Sequence, residues 1–290
     1  MLAPTRVIFT AVEGTLLDPH SPSPSQFLSA AGEALEEIER RRVPLVLATS
    51  GTRAELDPLR RKMEHGHPFV TESGGGLFIP DGYFTQHLQG AVRQGRFFCV
   101  AFGRPYADAV AATEELAEES GASIVGYSQM TAREISRNTG EPLRQAELAR
   151  QREFSERFFF AGGTERIINK FEREARANGW DAIPGEPFWE LRSGNDEGRA
   201  LRHLMRLLRD ALHTRLRAVA IGSGAGDLSL LSAADHAVVL PRRGQEFDAT
   251  LSSRLPRAIR GETSGPAGWN QAVLQALEET DRVRKPTAET

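Results

Sequence analysis

Apolar positions along the chain follow two alternating styles. Short unbroken runs are bounded by turn residues, as in Val7-Ile8-Phe9, VPLVLA over 43–48, Pro68-Phe69-Val70 and Leu77-Phe78-Ile79. Between them lie stretches that are apolar every three to four positions. One runs from about Gln26 to Arg41, with Phe27, Ala31, Leu35 and Ile38 on one face; another covers 52–63. The first style predicts buried strands and the second amphipathic helices, with a loop at SPSPS over 21–25. Strand and helix in alternation predict right-handed crossovers and a parallel sheet.

The pattern changes at about Gln89. A strand is predicted over 96–102, a helix over 106–120 and a strand over 123–127. Helices follow over 131–139 and 143–151, then a strand at 158–160, a helix over 165–178 and a strand over 188–191. From Gly198 the first style returns: a helix to about Leu212, a strand over 217–221 and a glycine-rich turn. A short helix then begins at 228–231, a strand covers 237–240 and a final helix covers 268–278. The expectation is an α/β fold, a Rossmann-like parallel-sheet core built from 1–88 and 193–280. An α+β cap, 89–192, is inserted into it, and 281–290 forms a frayed polar tail. No internal repeat is present.

Composition narrows the function. At 40% hydrophobic and 26% charged, the 290 residues suit a soluble protein with a sizeable core. A net charge of −3 gives no global basic field for nucleic acid or acidic membranes. The basic residues, mostly Arg, are interleaved with Glu and predict solvated helix faces. No apolar run reaches membrane-span length and no leader is seen, so the cytoplasm is expected. The one cysteine, Cys99, lies in the apolar run FFCVAF and is expected to be buried and inert. His65 and His67 are expected to be solvated loop residues, and no Cys/His spacing suggests zinc.

In an open parallel sheet, ligands bind off the carboxyl ends of the strands. The loops to weigh are therefore Ala11 to Thr15, Thr49 to Arg53, Gly194 to Glu197 and Gly222 to Asp227. Each is rich in small residues that let backbone N–H groups approach an anion. Thr and Ser at 49 and 50 also precede a helix, where they would cap it.

The order and spacing of these loops resemble the haloacid-dehalogenase-like phosphatases with a large inserted cap, and among them the mannosyl-3-phosphoglycerate phosphatases. VIFTAVEGTLLD is similar to the family's DxDGTLLD strand and turn. LATSGTRAEL resembles its phosphate loop, and TESGGGLFIP its ENGGG hairpin. GNDEGRAL is similar to GxxKGxAL, and IGSGAGDLSLL to GDSxNDxxL. GYSQMT, RQREFSE and GPAGWNQAV resemble stretches specific to the subfamily.

The resemblance implies phosphoryl transfer through an aspartyl phosphate, with a second acid, a lysine and carboxylate-held Mg²⁺. It places Ala11 at the nucleophile position and Glu13 at the acid/base position, one methylene longer than aspartate. Glu197 stands where the lysine belongs, and Ser223 where the first metal carboxylate belongs. Ser73 and Gly226 also depart from the family, while Asp227 keeps its identity. Gly14, Thr15, Thr49, Ser50 and Arg53 retain the phosphate-side scaffold. Arg152, Glu153 and Ser155 lie in the cap stretch expected to face the sugar-glycerate part of a substrate.

Glu13, Glu197 and Asp227 converging without a lysine would repel a phosphate dianion, by roughly 1 kcal/mol or more per close pair, unless one is neutral. Mg²⁺, implied by the resemblance, is expected to bind weakly or not at all. The expected protein is a catalytically silent phosphatase homologue that binds a sugar acid, a phosphosugar or a partner protein such as a glycosyl synthase. The alternatives are a phosphatase using a rerouted mechanism on a glycosyl-3-phosphoglycerate-type substrate, and a structural subunit. A new cation site among Glu13, Glu197, Asp227 and Ser223 is a further variant, as is Asp18 or Asp196 swinging toward position 11.

Overall fold

A computed structural model describes residues 6–17, 28–244 and 246–284. Thirteen strands form two sheets among them. β1 (Arg6–Ala11), β2 (Leu45–Ala48), β3 (Phe69–Thr71), β4 (Gly76–Pro80), β5 (Val92–Gln94) and β6 (Phe97–Ala101) precede the insert. β7 (Ile124–Gly126), β8 (Ser155–Phe160), β9 (Asp181–Ile183) and β10 (Trp189–Arg192) belong to it. β11 (Arg217–Gly222), β12 (His236–Val239) and β13 (Ile259–Arg260) follow. The large sheet runs β13-β12-β11-β1-β2-β3-β4-β6-β5, parallel from β13 to β3 and antiparallel from there to β5.

β1 lies between β11 and β2, and all six of its residues are buried. Successive side chains on a strand point to opposite faces. Ile8 therefore joins the core beneath the helices Gly32–Arg41 and Gly265–Arg284, with Leu45, Val219 and Trp269. Val7 and Phe9 join the core beneath the helix Glu197–Leu212, with Val46, Leu204 and Leu208. A strand covered on both faces needs the unbroken apolar run seen in the sequence. Trp269, wholly buried, donates its indole N–H to Thr10 Oγ1 at 2.9 Å. The subfamily-like stretch GPAGWNQAV thus anchors the last helix to the strand that carries position 11.

The smaller sheet, β7-β8-β10-β9, is antiparallel. The helices Tyr106–Ser120 and Glu165–Ala177 cover it through Leu116, Phe158, Phe171 and Leu191. This is the α/β core with an α+β cap that the sequence predicts.

Several expectations are corrected. The strand predicted at 96–102, assigned to the cap, pairs as β6 with β4 of the large sheet, with Phe78 opposite Cys99. Together with β5, it gives residues 92–101 to the core sheet and not to the insert. Two short strands, β9 and β13, and the helix Ala249–Arg254 lack an apolar run long enough to announce them. The last helix runs Gly265–Arg284, past the predicted start of the tail; 285–290 lie outside the described residues. So do the predicted loop at 21–25, the start of the helix near Gln26, and Asp18. His65 and His67 are half-buried rather than solvated. His65 Nε2 meets Leu45 O at 2.8 Å and His67 Nδ1 meets Tyr83 Oη at 3.0 Å. Burial holds His65 down at about 3. Cys99 is buried, as expected, and burial pushes its thiol up to about 12.

Candidate active site

β1 ends at Ala11, and the chain turns sharply behind it. Gly14, at φ 71°, takes the left-handed conformation that a side chain resists, and its N–H donates to Leu17 O at 2.8 Å. A β-carbon there would also stand 3.1 Å from Ser223 Oγ. The turn is thereby pressed against the loop after β11. Thr15 Oγ1 donates to Ser223 Oγ at 3.0 Å, and Ser223 Oγ donates to Gly14 O at 3.0 Å. Both hydroxyls are buried and committed to each other. Thr15 and Ser223 therefore hold the two loops together.

Glu13 leaves this turn on its solvent side. Its carboxylate accepts from the Thr49 hydroxyl and from Ser50 N–H at 3.3 Å. Thr49 Oγ1 in turn accepts from Gly51 N–H at 2.9 Å. The hydroxyl and amide expected to hold phosphate oxygens thus hold a carboxylate of the protein itself. Enclosure by protein raises the Glu13 carboxyl above the usual glutamate range, and the bonds from Thr49 and Ser50 oppose the rise.

Glu197 is the first residue of the helix Glu197–Leu212, whose N-cap is Asp196, accepting from Arg199 N–H at 3.0 Å. Gly74, at φ 95°, lies so close that a β-carbon would come within 2.3 Å of Glu197 N. That close approach seats the Glu197 side chain in the interior. It is 7% exposed, and its Oε2 is buried without a hydrogen-bond partner. Burial, then the charges of Asp227 and Glu13, push its carboxyl up to about 8 against the pull of Arg192. At neutral pH, Glu197 is accordingly mostly protonated. The three-carboxylate repulsion expected from the sequence is relieved by neutralising one member.

Asp227 is half-buried, and its Oδ2 accepts from Ser223 N–H at 2.7 Å and Gly224 N–H at 2.9 Å. Burial raises its carboxyl, opposed by those two amides and by Arg242. Magnesium needs several oxygen ligands around one point. Here position 11 offers a methyl, Ser223 Oγ is taken, Asp227 Oδ2 is capped by amides and Glu197 favours its neutral form. No group of three Asp, Glu, His or Cys side chains among the described residues is placed to hold a metal ion. The donor set does not fit Mg²⁺, and the new cation site considered from the sequence is not formed. Asp196 is likewise engaged with Arg199 N–H and Ser229 Oγ, away from position 11.

The cleft at these loops has a volume of about 440 Å³ and is lined by Glu13, Gly14, Ser223, Gly224 and Asp227. Arg242, Arg243 and the start of the helix Gly265–Arg284 also line it. Arg242 pairs with the buried Asp248 at 2.9 Å. Sequence reasoning missed these two arginines. They follow β12 in the stretch LPRRG, at a strand end of the kind where ligands bind in such a sheet.

Arg152 and Ser155, expected to face a ligand, are buried inside the protein, and neither lies on a helix. Arg152 Nη2 pairs with Glu190 at 2.8 Å and its Nε with Glu72 at 3.6 Å. Glu72, wholly buried at φ 48°, accepts from Glu153 N–H (2.7 Å), Phe154 N–H (3.0 Å) and Ser155 Oγ (2.8 Å). Glu153 itself bonds Arg53 Nε at 3.0 Å. The family-like stretch REFSE, together with Arg53, therefore clamps the cap to the core. Its signal in the sequence was an acid, Glu72, set in the glycine turn after an apolar strand.

The sequence and the fold have counterparts among known proteins. The glucosyl-3-phosphoglycerate/mannosyl-3-phosphoglycerate phosphatase of Methanococcoides burtonii is 30% identical over 277 residues, covering 96% of this chain and 99% of its own. The chain belongs to this phosphatase family. The protein of the same name from Persephonella marina is 29% identical, over 95% of this chain and 98% of its own. A haloacid-dehalogenase-like hydrolase from Bacteroides thetaiotaomicron shares the fold, with a TM-score of 0.64 at 18% identity, over 94% of this chain and all (100%) of its own. No family model matches the chain. No helix among the described residues is long and apolar enough to cross a membrane.

One consequence of the site is a dependence on pH. Glu197 binds its proton more tightly folded than unfolded, so stability is undiminished below about pH 4.5 and declines as pH rises toward about 8. Glu197→Gln is expected to flatten that decline and raise the melting temperature by several degrees at pH 8, with little change at pH 4.5. Parallel melting curves for the two proteins across this range would contradict the assignment.

Proposed function

We propose that this protein is a catalytically silent member of its phosphatase family that keeps a ligand site for a sugar acid or phosphosugar. The observation that carries the first half is the end of β1: residue 11 is a buried methyl, and Glu197, buried near Asp227 and Glu13, stands where the resemblance places a lysine. The cleft beside Glu13 and Asp227 supports the second half. The lost lysine charge has counterparts in Arg242 and Arg243, which line the cleft beside a 20-residue helix that begins at Gly265. Helix N-termini and arginines favour carboxylate and phosphate groups. The family's named substrates, glucosyl- and mannosyl-3-phosphoglycerate, carry both.

The chain's own groups have definable roles in this reading. Arg242 and Arg243 hold the anionic end of the ligand. Glu197, buried behind the cleft and favouring its neutral form, adds no further negative charge to it. Glu13, fixed by Thr49, is an acceptor for a sugar hydroxyl. No step breaking a phosphate ester is derived, because no oxygen at residue 11 can accept the phosphoryl group.

The test is thermal denaturation with millimolar glucosyl-3-phosphoglycerate, mannosyl-3-phosphoglycerate or the free glycosylglycerates. Saturation by a ligand at 100 times its Kd adds about 2.7 kcal/mol of stability, enough for a clear shift. At least one of these ligands is expected to raise the melting temperature, and Arg242→Gln/Arg243→Gln to remove the rise. No shift with any of them ends the ligand half of the proposal.

A further inference from the structure

The helix Glu197–Leu212 departs from the interleaved charge pattern of the rest of the chain. Between Gly198 and Arg209 its charged residues are all basic: Arg199, Arg202, Arg206 and Arg209. Their spacing of three, four and three residues puts them on one face, along about 15 Å of helix at 1.5 Å per residue. That face lines a concave groove of about 600 Å³ on the surface of the core. Phe102 closes one end, next to the strand that leads into the cap, and Asp235 lies at the other.

The arginines are incompletely balanced. Arg202 and Arg209 reach carboxylates only at 3.9 and 4.0 Å, those of Asp196 and Asp235. Asp235 Oδ2 is already bonded to Ala218 N–H at 2.7 Å, and Asp196 caps the helix. Arg199 and Arg206 have no carboxylate partner among the described residues. Arg199 lies over the Phe102 ring at 5.1 Å, and Arg206 Nη2 meets His203 Nδ1 at 3.2 Å. His203 packs edge-on against Phe102 at 5.8 Å. Aromatic contacts hold the first guanidinium in a fixed plane, and a ring nitrogen holds the third. Like charges fixed side by side in a concavity are the arrangement that planar, multidentate recognition of phosphate uses.

We infer that this groove is a second binding site, separate from the cleft at Glu13, for a small polyanion bearing two or more phosphate groups. Its volume lies in the range of ordinary small-molecule sites. Arg199 and Arg206 supply the unopposed charges, and Arg202 and Arg209 exchange their long acid contacts for the ligand, Arg209 keeping its bond to Leu216 O at 3.0 Å. The inference is independent of the proposed function, because it uses none of the residues of that cleft.

The experiment is calorimetric titration of the whole protein with sodium tripolyphosphate at pH 7.5 in 20 mM salt. The expected result is saturable 1:1 binding that weakens as sodium chloride is added. Arg199→Gln/Arg206→Gln, both at exposed positions, is expected to raise the Kd at least tenfold, with an unchanged melting temperature showing that it folds. Arg242→Gln/Arg243→Gln is expected to leave the Kd within twofold. Absence of saturable binding overturns the inference. So does binding unaffected by the first pair, or binding lost only with the second pair, which would assign the anion to the other cleft.

Discussion

Phosphate release from glucosyl- or mannosyl-3-phosphoglycerate, with Mg²⁺ present, is expected to stand at background. The reason lies in atoms rather than in affinity. Attack on phosphorus needs an oxygen where Ala11 presents a methyl that is 4% exposed. Loss of a nucleophile in other hydrolases costs on the order of 10⁶ in turnover. The neighbouring losses do not multiply that figure, because groups that act as a unit fail as a unit. For the same reason Ala11→Asp alone is expected to stay at background. The new carboxylate would meet protonated Glu197, a capped Asp227 and a Ser223 hydroxyl already bonded to Gly14 O. Steady release by clean protein, abolished by Glu13→Ala, would instead show that Glu13 runs a rerouted hydrolysis.

The second large effect is structural. Glu72→Ala is expected to destabilise the protein by about 3–5 kcal/mol, the usual cost of removing one partner from a buried ion pair. Three donors would lose their acceptor: the amides of Glu153 and Phe154 and the hydroxyl of Ser155. Arg152 would keep only Glu190 as an acid partner within the interior. Glu72→Gln is expected to recover only part of the loss, since its one oxygen can still accept from Phe154 N–H and Ser155 Oγ while its NH2 faces the Glu153 N–H. Chemical denaturation measures the loss, and faster amide exchange over 152–156 would localise it to the junction of cap and core. A change below about 1 kcal/mol would mean that the clamp is dispensable.

These two outcomes separate what family-like sequence stretches do. RQREFSE is among the most family-like segments of the chain, and its position in the cap suggests contact with substrate. In the structure Arg152 and Ser155 are sealed against Glu72 and Glu190. In this fold they join cap and core. GPAGWNQAV is similar in kind: Trp269 reaches Thr10 on β1 and holds the strand under the cleft.

Much of the fold was legible because its cause is local. Buried parallel strands such as β1 and β2 need unbroken apolar runs, and the helices beside them need a 3.6-residue period. The methyl at position 11 was equally plain, since no packing can give Ala11 an oxygen. What the tertiary structure alone decided involves partners far apart in the chain. β6 belongs to the core sheet because Phe97 to Ala101 pairs with Gly76 to Pro80, a choice its own apolar run leaves open. Glu197 becomes a neutral acid because Gly74, more than a hundred residues earlier, lets its helix close over it and because Asp227 and Glu13 lie nearby. Thr49 is satisfied by Glu13, and Arg242 and Arg243 enter the cleft, through loops that meet only once the sheet is assembled. Side-chain identity settles which reactions are impossible; proton affinities and ligand contacts depend on distance and burial, which exist only in the folded chain.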